Sequence, residues 1–190
     1  MFRRDILVIY VVALMFLLCG TAIGQNHYLI DPNRSEVHFL LGGTAHEVHG
    51  VFRVRSGELG FDRKTGEMNG TVIVDAGSGN SDSGSRDKKM TNDELKAKTF
   101  PSITFAPSRF TGMLKDEGDS SVQIEGTFTL LGQPHVISVP MVVHIEGDQC
   151  TSSGSFIVPY VSWGMKDPSV FVLKVAKEVK IDLKLAGSIK

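Results

Sequence analysis

Six histidines, two cysteines and a serine-rich stretch are the residues of this sequence with chemistry of their own. His46-Glu47-Val48-His49 sets two imidazoles close together, as a metal pair requires. Their separation is three residues, not the four that align side chains on one helical face. On a strand, residues three apart project to opposite faces, so these two read as rim or exposed histidines and no metal is expected. Ser78, Ser81, Ser83 and Ser85 have no histidine nearby to serve as a base and read as a solvated turn. Cys150 has no basic or histidine neighbour in sequence to lower its pKa, which predicts an inert thiol. No G-x-S-x-G elbow, P-loop or dinucleotide glycine motif is present. The sequence marks no catalytic residue, and an enzyme is not expected.

The frame around these residues is 190 long, with 20 Lys+Arg against 21 Asp+Glu. That size suits one domain with a real core. Near-neutral charge argues against a nucleic-acid partner, which demands a basic excess on one face. Arg3 and Arg4, the apolar run 6–18 and the small-residue exit Ala22-Ile23-Gly24 predict a signal peptide over 1–24, cut near Gly24/Gln25. The expected location is therefore periplasmic or secreted, with an uncleaved N-terminal membrane anchor as the alternative. The remaining domain, 25–190, keeps Cys150 as its one thiol, so no internal disulfide is expected.

In that domain Val, Ile and Thr outnumber Leu and Ala about two to one, which favours strands. Val37, Phe39 and Leu41 alternate with Glu36, His38 and Leu40, and Val179, Ile181, Leu183 and Leu185 with Lys180, Asp182, Lys184 and Ala186. Val122, Ile124, Phe128 and Leu130 follow the same period. Alternation gives each strand one buried and one solvated face, the mark of antiparallel pairing. Gly and Pro punctuate the strands about every ten residues, as in a sandwich or barrel. Thr91 with Glu94 three residues on is a capping-box pattern and predicts one short helix over 91–98.

Ordered along this all-β chain are Tyr28-x-Ile30-Asp31-Pro32-x-x-Ser35-x-Val37-x-Phe39, Val48-x-Gly50-x-Phe52, Ser85-Arg86-Asp87, Phe100-Pro101-Ser102-Ile103-Thr104-Phe105, Gly126-Thr127-Phe128-Thr129-Leu130-Leu131-Gly132 and Val175-x-x-Glu178-Val179-x-Ile181. The set resembles the YceI-like family over nearly all of 25–190. Arg34, Lys89 and Gln133-Pro134-His135 depart from the family's pattern. The resemblance implies a single lipocalin-like antiparallel barrel of about eight strands, with a lengthwise apolar cavity. It implies a long polyisoprenoid or quinone-like lipid as a non-covalent ligand, with no other cofactor. The partners expected are such a lipid, the envelope membrane as its source and, as an option, a second copy of the chain.

Inward positions on such strands nominate Phe39, Phe52, Val54, Ile103, Phe105, Phe128, Leu130, Val143, Phe156 and Ile181 as the apolar wall. Arg86, Lys88 and Lys89 form the nearest basic cluster and are the candidates for a head group. Two functions stay open. One is an exported, non-catalytic lipid carrier, and the other is an envelope interaction or stress-response scaffold with no bound lipid.

Overall fold

The computed structural model describes residues 26–44, 47–169 and 174–190. The expected signal segment 1–24 and His46 lie outside the described residues. The described strands are β1 (Asn26–Ile30), β2 (Glu36–Leu41), β3 (Val48–Phe61), β4 (Met68–Asp75), β5 (Ser102–Thr111), β6 (Gly118–Leu130), β7 (Gln133–Glu146), β8 (Gln149–Val158) and β9 (Val179–Ile189). All pair antiparallel in one sheet, and pairing of β3 with β4 closes it.

The closed ring has eight strand positions because β1 and β2 share one. Both pair with β3 on one side and β9 on the other, in the same direction. Between them Pro32–Arg34 makes a single 3-10 turn. Pro32 suits that turn because the first helical residues have no use for an N–H, and the Asp31 carboxylate caps it by accepting from Asn33 N at 2.9 Å. The interruption is stitched to β9: Asp31 N donates to Ala186 O at 2.8 Å. The buried Ser35 hydroxyl accepts from Ala186 N at 3.0 Å and donates to Ala186 O at 3.3 Å.

Hairpin chemistry fixes register elsewhere. Leu131 and Gly132 have φ of 52° and 73° between β6 and β7, the double left-handed pair of a type I′ turn. Thirteen residue pairs of β6 and β7 follow in unbroken register from it. The even residues from Val122 to Leu130 thereby face inward together with the odd residues from Ile137 to Ile145.

The short helix lies earlier than the 91–98 predicted. Helix α1 is Gly84–Lys89 and runs on through one wider turn, Met90–Glu94. Thr91 therefore sits inside the helical run and caps nothing. The start is set instead by Asp87, whose Oδ1 accepts from Ser81 N at 2.9 Å and from Ser81 Oγ at 2.5 Å. The run ends where Lys96 turns left-handed at φ 47°.

Candidate functional site

The barrel encloses two cavities that meet at a shared wall. The inner lobe holds about 170 Å³ and is lined almost wholly from strands, with Leu114 the exception. The outer lobe holds about 380 Å³ and opens among the loops at the other end. Phe52, Ile103, Phe128 and Ile181 line both lobes. They come from β3, β5, β6 and β9, so they form a ring across the barrel where the two lobes adjoin. An engineered apolar cavity of about 150 Å³ stays dry and takes up benzene; each lobe here is larger.

Among the described residues, no charged side chain lines the inner lobe. Its far end is walled by Tyr28, Phe61, Phe110, Ile145 and Cys150, all buried. Tyr28 OH donates to Cys150 O at 3.3 Å. Burial holds this phenol far above its ordinary pKa and pushes the Cys150 thiol up to about 11. Neither group ionises near neutrality, so the lobe presents hydrocarbon and neutral polar atoms only.

The outer lobe is different in kind. Phe39, Leu41, Leu130 and Val179 continue the strand wall, but Met90 comes from the helical run and Leu95, Tyr160 and Met165 from irregular segments. Its lining also includes Arg86, Lys89, Lys174 and Glu94. Tyr160 OH donates to Ala176 O at 2.5 Å, and burial pushes its pKa up to about 12. Beside the lobes, Trp163 packs on Phe128 with centroids 5.8 Å apart and stacks on His135 at 3.8 Å.

Of the ten wall positions nominated from sequence, Phe105, Val143 and Phe156 line the inner lobe and Phe39 and Leu130 the outer. Phe52, Ile103, Phe128 and Ile181 make the ring. Val54 lines neither lobe: it is 4% exposed, packed into the core where the β3–β4 register shifts between Val54 and Ser56. Arg86 and Lys89 border the outer lobe, whereas Lys88 faces elsewhere. Lys174, Tyr160 and Met165 were not anticipated, because they stand in segments without period or motif, and Glu94 was read only as a helix-capping partner.

The stretch expected as a solvated serine turn is tied down. Val51 and Asn80 exchange backbone hydrogen bonds at 2.9 and 3.0 Å. Ser81 is buried, and Arg86 donates to it through Nε to Oγ at 2.7 Å and Nη2 to O at 2.6 Å. His49 is exposed beside Glu47, at 3.7 Å.

Residues 28–186 match the model of the YceI-like domain, and the chain belongs to that family. Solved structures share the fold. BcnA of Burkholderia cenocepacia is 21% identical with a TM-score of 0.68, the match covering 83% of this chain and 99% of that one. A polyisoprenoid binding domain from Saccharophagus degradans, implicated in plant cell wall breakdown, is 16% identical with a TM-score of 0.63, over 85% and 98% of the two chains. The YCEI protein of Campylobacter jejuni is 16% identical with a TM-score of 0.57, over 70% and 80%. No curated protein matches the sequence.

Proposed function

We propose that this YceI-like protein is an exported, non-catalytic carrier of a polyisoprenoid or similar long-tailed amphiphile held inside the barrel. The observation that carries the reading is the pair of largely apolar lobes that adjoin at the Phe52–Ile103–Phe128–Ile181 ring, one of them opening among the loops. The Saccharophagus relative is described as a polyisoprenoid binding domain, which supports the same ligand class. An eight-stranded barrel is wide enough for one slender ligand. Each methylene moved from water into it contributes about 0.8 kcal/mol, so a long tail is favoured without any polar contact. No histidine lines either lobe among the described residues. The buried phenols and thiol stay protonated near neutrality, so the walls suit retention of a tail rather than proton transfer.

The test is organic extraction of the purified protein with mass spectrometry, followed by titration of extracted protein with geranylgeraniol. Trp163, the sole tryptophan and packed on the ring residue Phe128, reports binding by its fluorescence. A stoichiometric isoprenoid, or saturable one-to-one binding of the added alcohol, is the expected result. Ile103→Trp should fold yet bind geranylgeraniol poorly, because the larger ring fills the passage. An empty protein that ignores geranylgeraniol would leave the scaffold reading. N-terminal sequencing of the envelope fraction tests export, with a start near Gln25 expected and a stable Met1 species establishing the anchor.

A further inference from the structure

The barrel wall has an unpaired seam. β7 pairs with β6 from Gln133 to Ile145, and β8 pairs with β9 from Gln149 to Val158. With each other, β7 and β8 pair only over Met141–Glu146 and Gln149–Gly154. Residues 133–140 and 155–158 therefore part towards the loop end, and residues 159–168 fill the space. Trp163 lies flat on His135 of β7, with centroids 3.8 Å apart and planes 6° from parallel, and packs on Phe128 at 5.8 Å. Phe156 of β8 meets the same Phe128 edge-on at 5.7 Å. Phe128 and Phe156 line the inner lobe, so the indole closes the seam against the cavity wall. We infer that Trp163 on His135 is a pH-sensitive latch, which holds this side seam shut near neutral pH and lets it open in mild acid. The inference rests on the carrier reading above for what crosses the seam, while the latch itself is a property of the fold.

Among the described residues, no hydrogen bond joins 159–168 to β7. The segment's backbone bonds are local, such as Trp163 N to Pro159 O at 3.1 Å and Met165 N to Tyr160 O at 3.0 Å. Its outward ties, from Tyr160 OH and Val161 N, run to Ala176 O and Lys177 O. The aromatic stack therefore carries the contact with β7. His135 Nε2 is buried in that stack and has no hydrogen-bond partner among the described residues. A neutral imidazole tolerates this by keeping its proton on Nδ1, but an imidazolium carries N–H on both nitrogens. Protonation would bury a charged donor with nothing to accept from it, which is costly. Attraction of the cation to the indole face offsets only part of that cost. Turning the ring out to water removes the penalty and parts His135 from Trp163.

No neighbouring charge compensates. β8 carries no charged residue. On β6, Glu125 faces Arg109 at 3.9 Å and Asp119 holds His144 of β7 at 2.7 Å. Glu146 stands with His144 at the far end of β7. In the segment itself Asp167 accepts from Ser169 N, Lys166 is exposed, and burial keeps the Tyr160 phenol neutral. None of these pairs with His135 among the described residues. Histidine side chains change charge between about pH 5 and 8. Outside the seam, Val136 on β7 is 86% exposed and Ile157 on β8 47%, so a hydrocarbon tail crossing there meets apolar lips.

The test reads acrylamide quenching of Trp163, the sole tryptophan, in lipid-free protein at about pH 7.5 and about pH 5.5. It then reads release of radiolabelled geranylgeraniol to phosphatidylcholine vesicles at the same two values. Quenching should rise at least about twofold in acid, and release should quicken at least about tenfold, with far-UV dichroism unchanged. His135→Phe keeps a flat ring against the indole and cannot protonate, so both readouts should stay at their neutral level. That variant separates His135 from the other histidines of the chain. Trp163→Phe shrinks the latch and should release the alcohol quickly at both values, which tests the seam should His135→Phe not fold. Quenching and release that ignore pH in the unaltered protein would overturn the inference. A pH response that persists in His135→Phe would overturn it too, as would slow release from Trp163→Phe at neutral pH. Failure to bind geranylgeraniol at all would instead strike the carrier reading, and the quenching would still decide the latch.

Discussion

The inner lobe takes its walls from strands, with side chains two residues apart stacked along positions that repeat around the ring. The outer lobe draws many of its lining residues from loops and from the run that begins with helix α1. One region is therefore uncharged and set by the barrel's period, while the other is mixed in polarity and set by particular long-range contacts. A strand wall gives the same surface to any tail, so it can select length and slenderness but not a head group. Charged side chains enter at the mouth, where helix α1 and a distant segment bring Lys89 and Lys174 to one cavity from positions 85 apart in sequence.

The largest effect that would break this comparison concerns packing. Ile30 is 3% exposed, lines neither lobe and lies against Gly57, where an added Cβ would fall 2.6 Å from the Ile30 side chain. Ile103 has the same side chain but borders open volume in both lobes. Ile30→Ala should cost about 2–5 kcal/mol, the usual range for a filled core site. Ile103→Ala should cost clearly less, since it enlarges a space that already exists and has fewer contacts to lose. Equal losses in urea unfolding would mean the ring is packed solid, and the two-lobe channel would lose its physical basis.

A smaller effect sharpens the strand side. The Ser35 hydroxyl satisfies both backbone groups of Ala186 in a buried setting. Ser35→Ala leaves a buried N–H without its acceptor and should cost about 1–3 kcal/mol. Binding of geranylgeraniol should survive, because Ser35 lines neither lobe. Loss of binding out of proportion to the loss of stability would show that the stitch shapes the cavity as well as the wall.

These two regions also differ in how far the sequence revealed them. Val37, Phe39, Ile181, Leu183 and their neighbours announced their faces by alternation, because burial on one side of a sheet must repeat every two residues. The Asp31-Pro32-x-x-Ser35 motif and the Leu131-Gly132 turn entered the sequence reading only through the family resemblance, and the structure supplies their local reasons, a cap and a pair of left-handed residues. Val54 is buried as alternation predicts yet lines neither lobe, because alternation marks the inward face and does not separate a cavity wall from packed core. The short helix was legible, but its run begins at Gly84, ahead of the Thr91–Glu94 pattern, where Asp87 reaches back to Ser81. Lys174 was invisible, since the contact that fixes it joins it to Thr44, 130 residues away.

Alkaline titration separates the regions by pH. Folding raises the Cys150 thiol from its ordinary 9 to about 11, and the Tyr160 phenol from 10 to about 12, in both cases by burial first. The unfolded chain therefore loses each proton earlier, and ionisation favours unfolding. Stability from Cys150, at the far end of the inner lobe, should be complete below pH 9 and fall as pH climbs to about 11. The Tyr160 contribution, at the mouth, should be complete below pH 10 and fall towards about 12. Melting curves should show the decline beginning near pH 9, and Cys150→Ala should move its onset up by about one unit, to where Tyr160 starts to act. An onset that ignores Cys150→Ala would mean the thiol does not ionise on unfolding in that range.

The smallest expected effect bears on the mouth alone. Lys174 is exposed, makes no ion pair among the described residues and engages Thr44 through its backbone, not its ammonium. Lys174→Ala keeps that backbone and removes a solvated side chain, so it should change stability by less than about 0.5 kcal/mol, as surface substitutions usually do. The contrast with Ser35 is the content of the prediction. A buried residue that holds the wall should register in unfolding, while an exposed one at the mouth should hardly do so. A loss above about 1 kcal/mol for Lys174→Ala would exceed what an exposed, unpaired side chain can contribute. The mouth would then be a packed part of the fold whose charges serve stability, and the division between a structural wall and a selective rim would fail there.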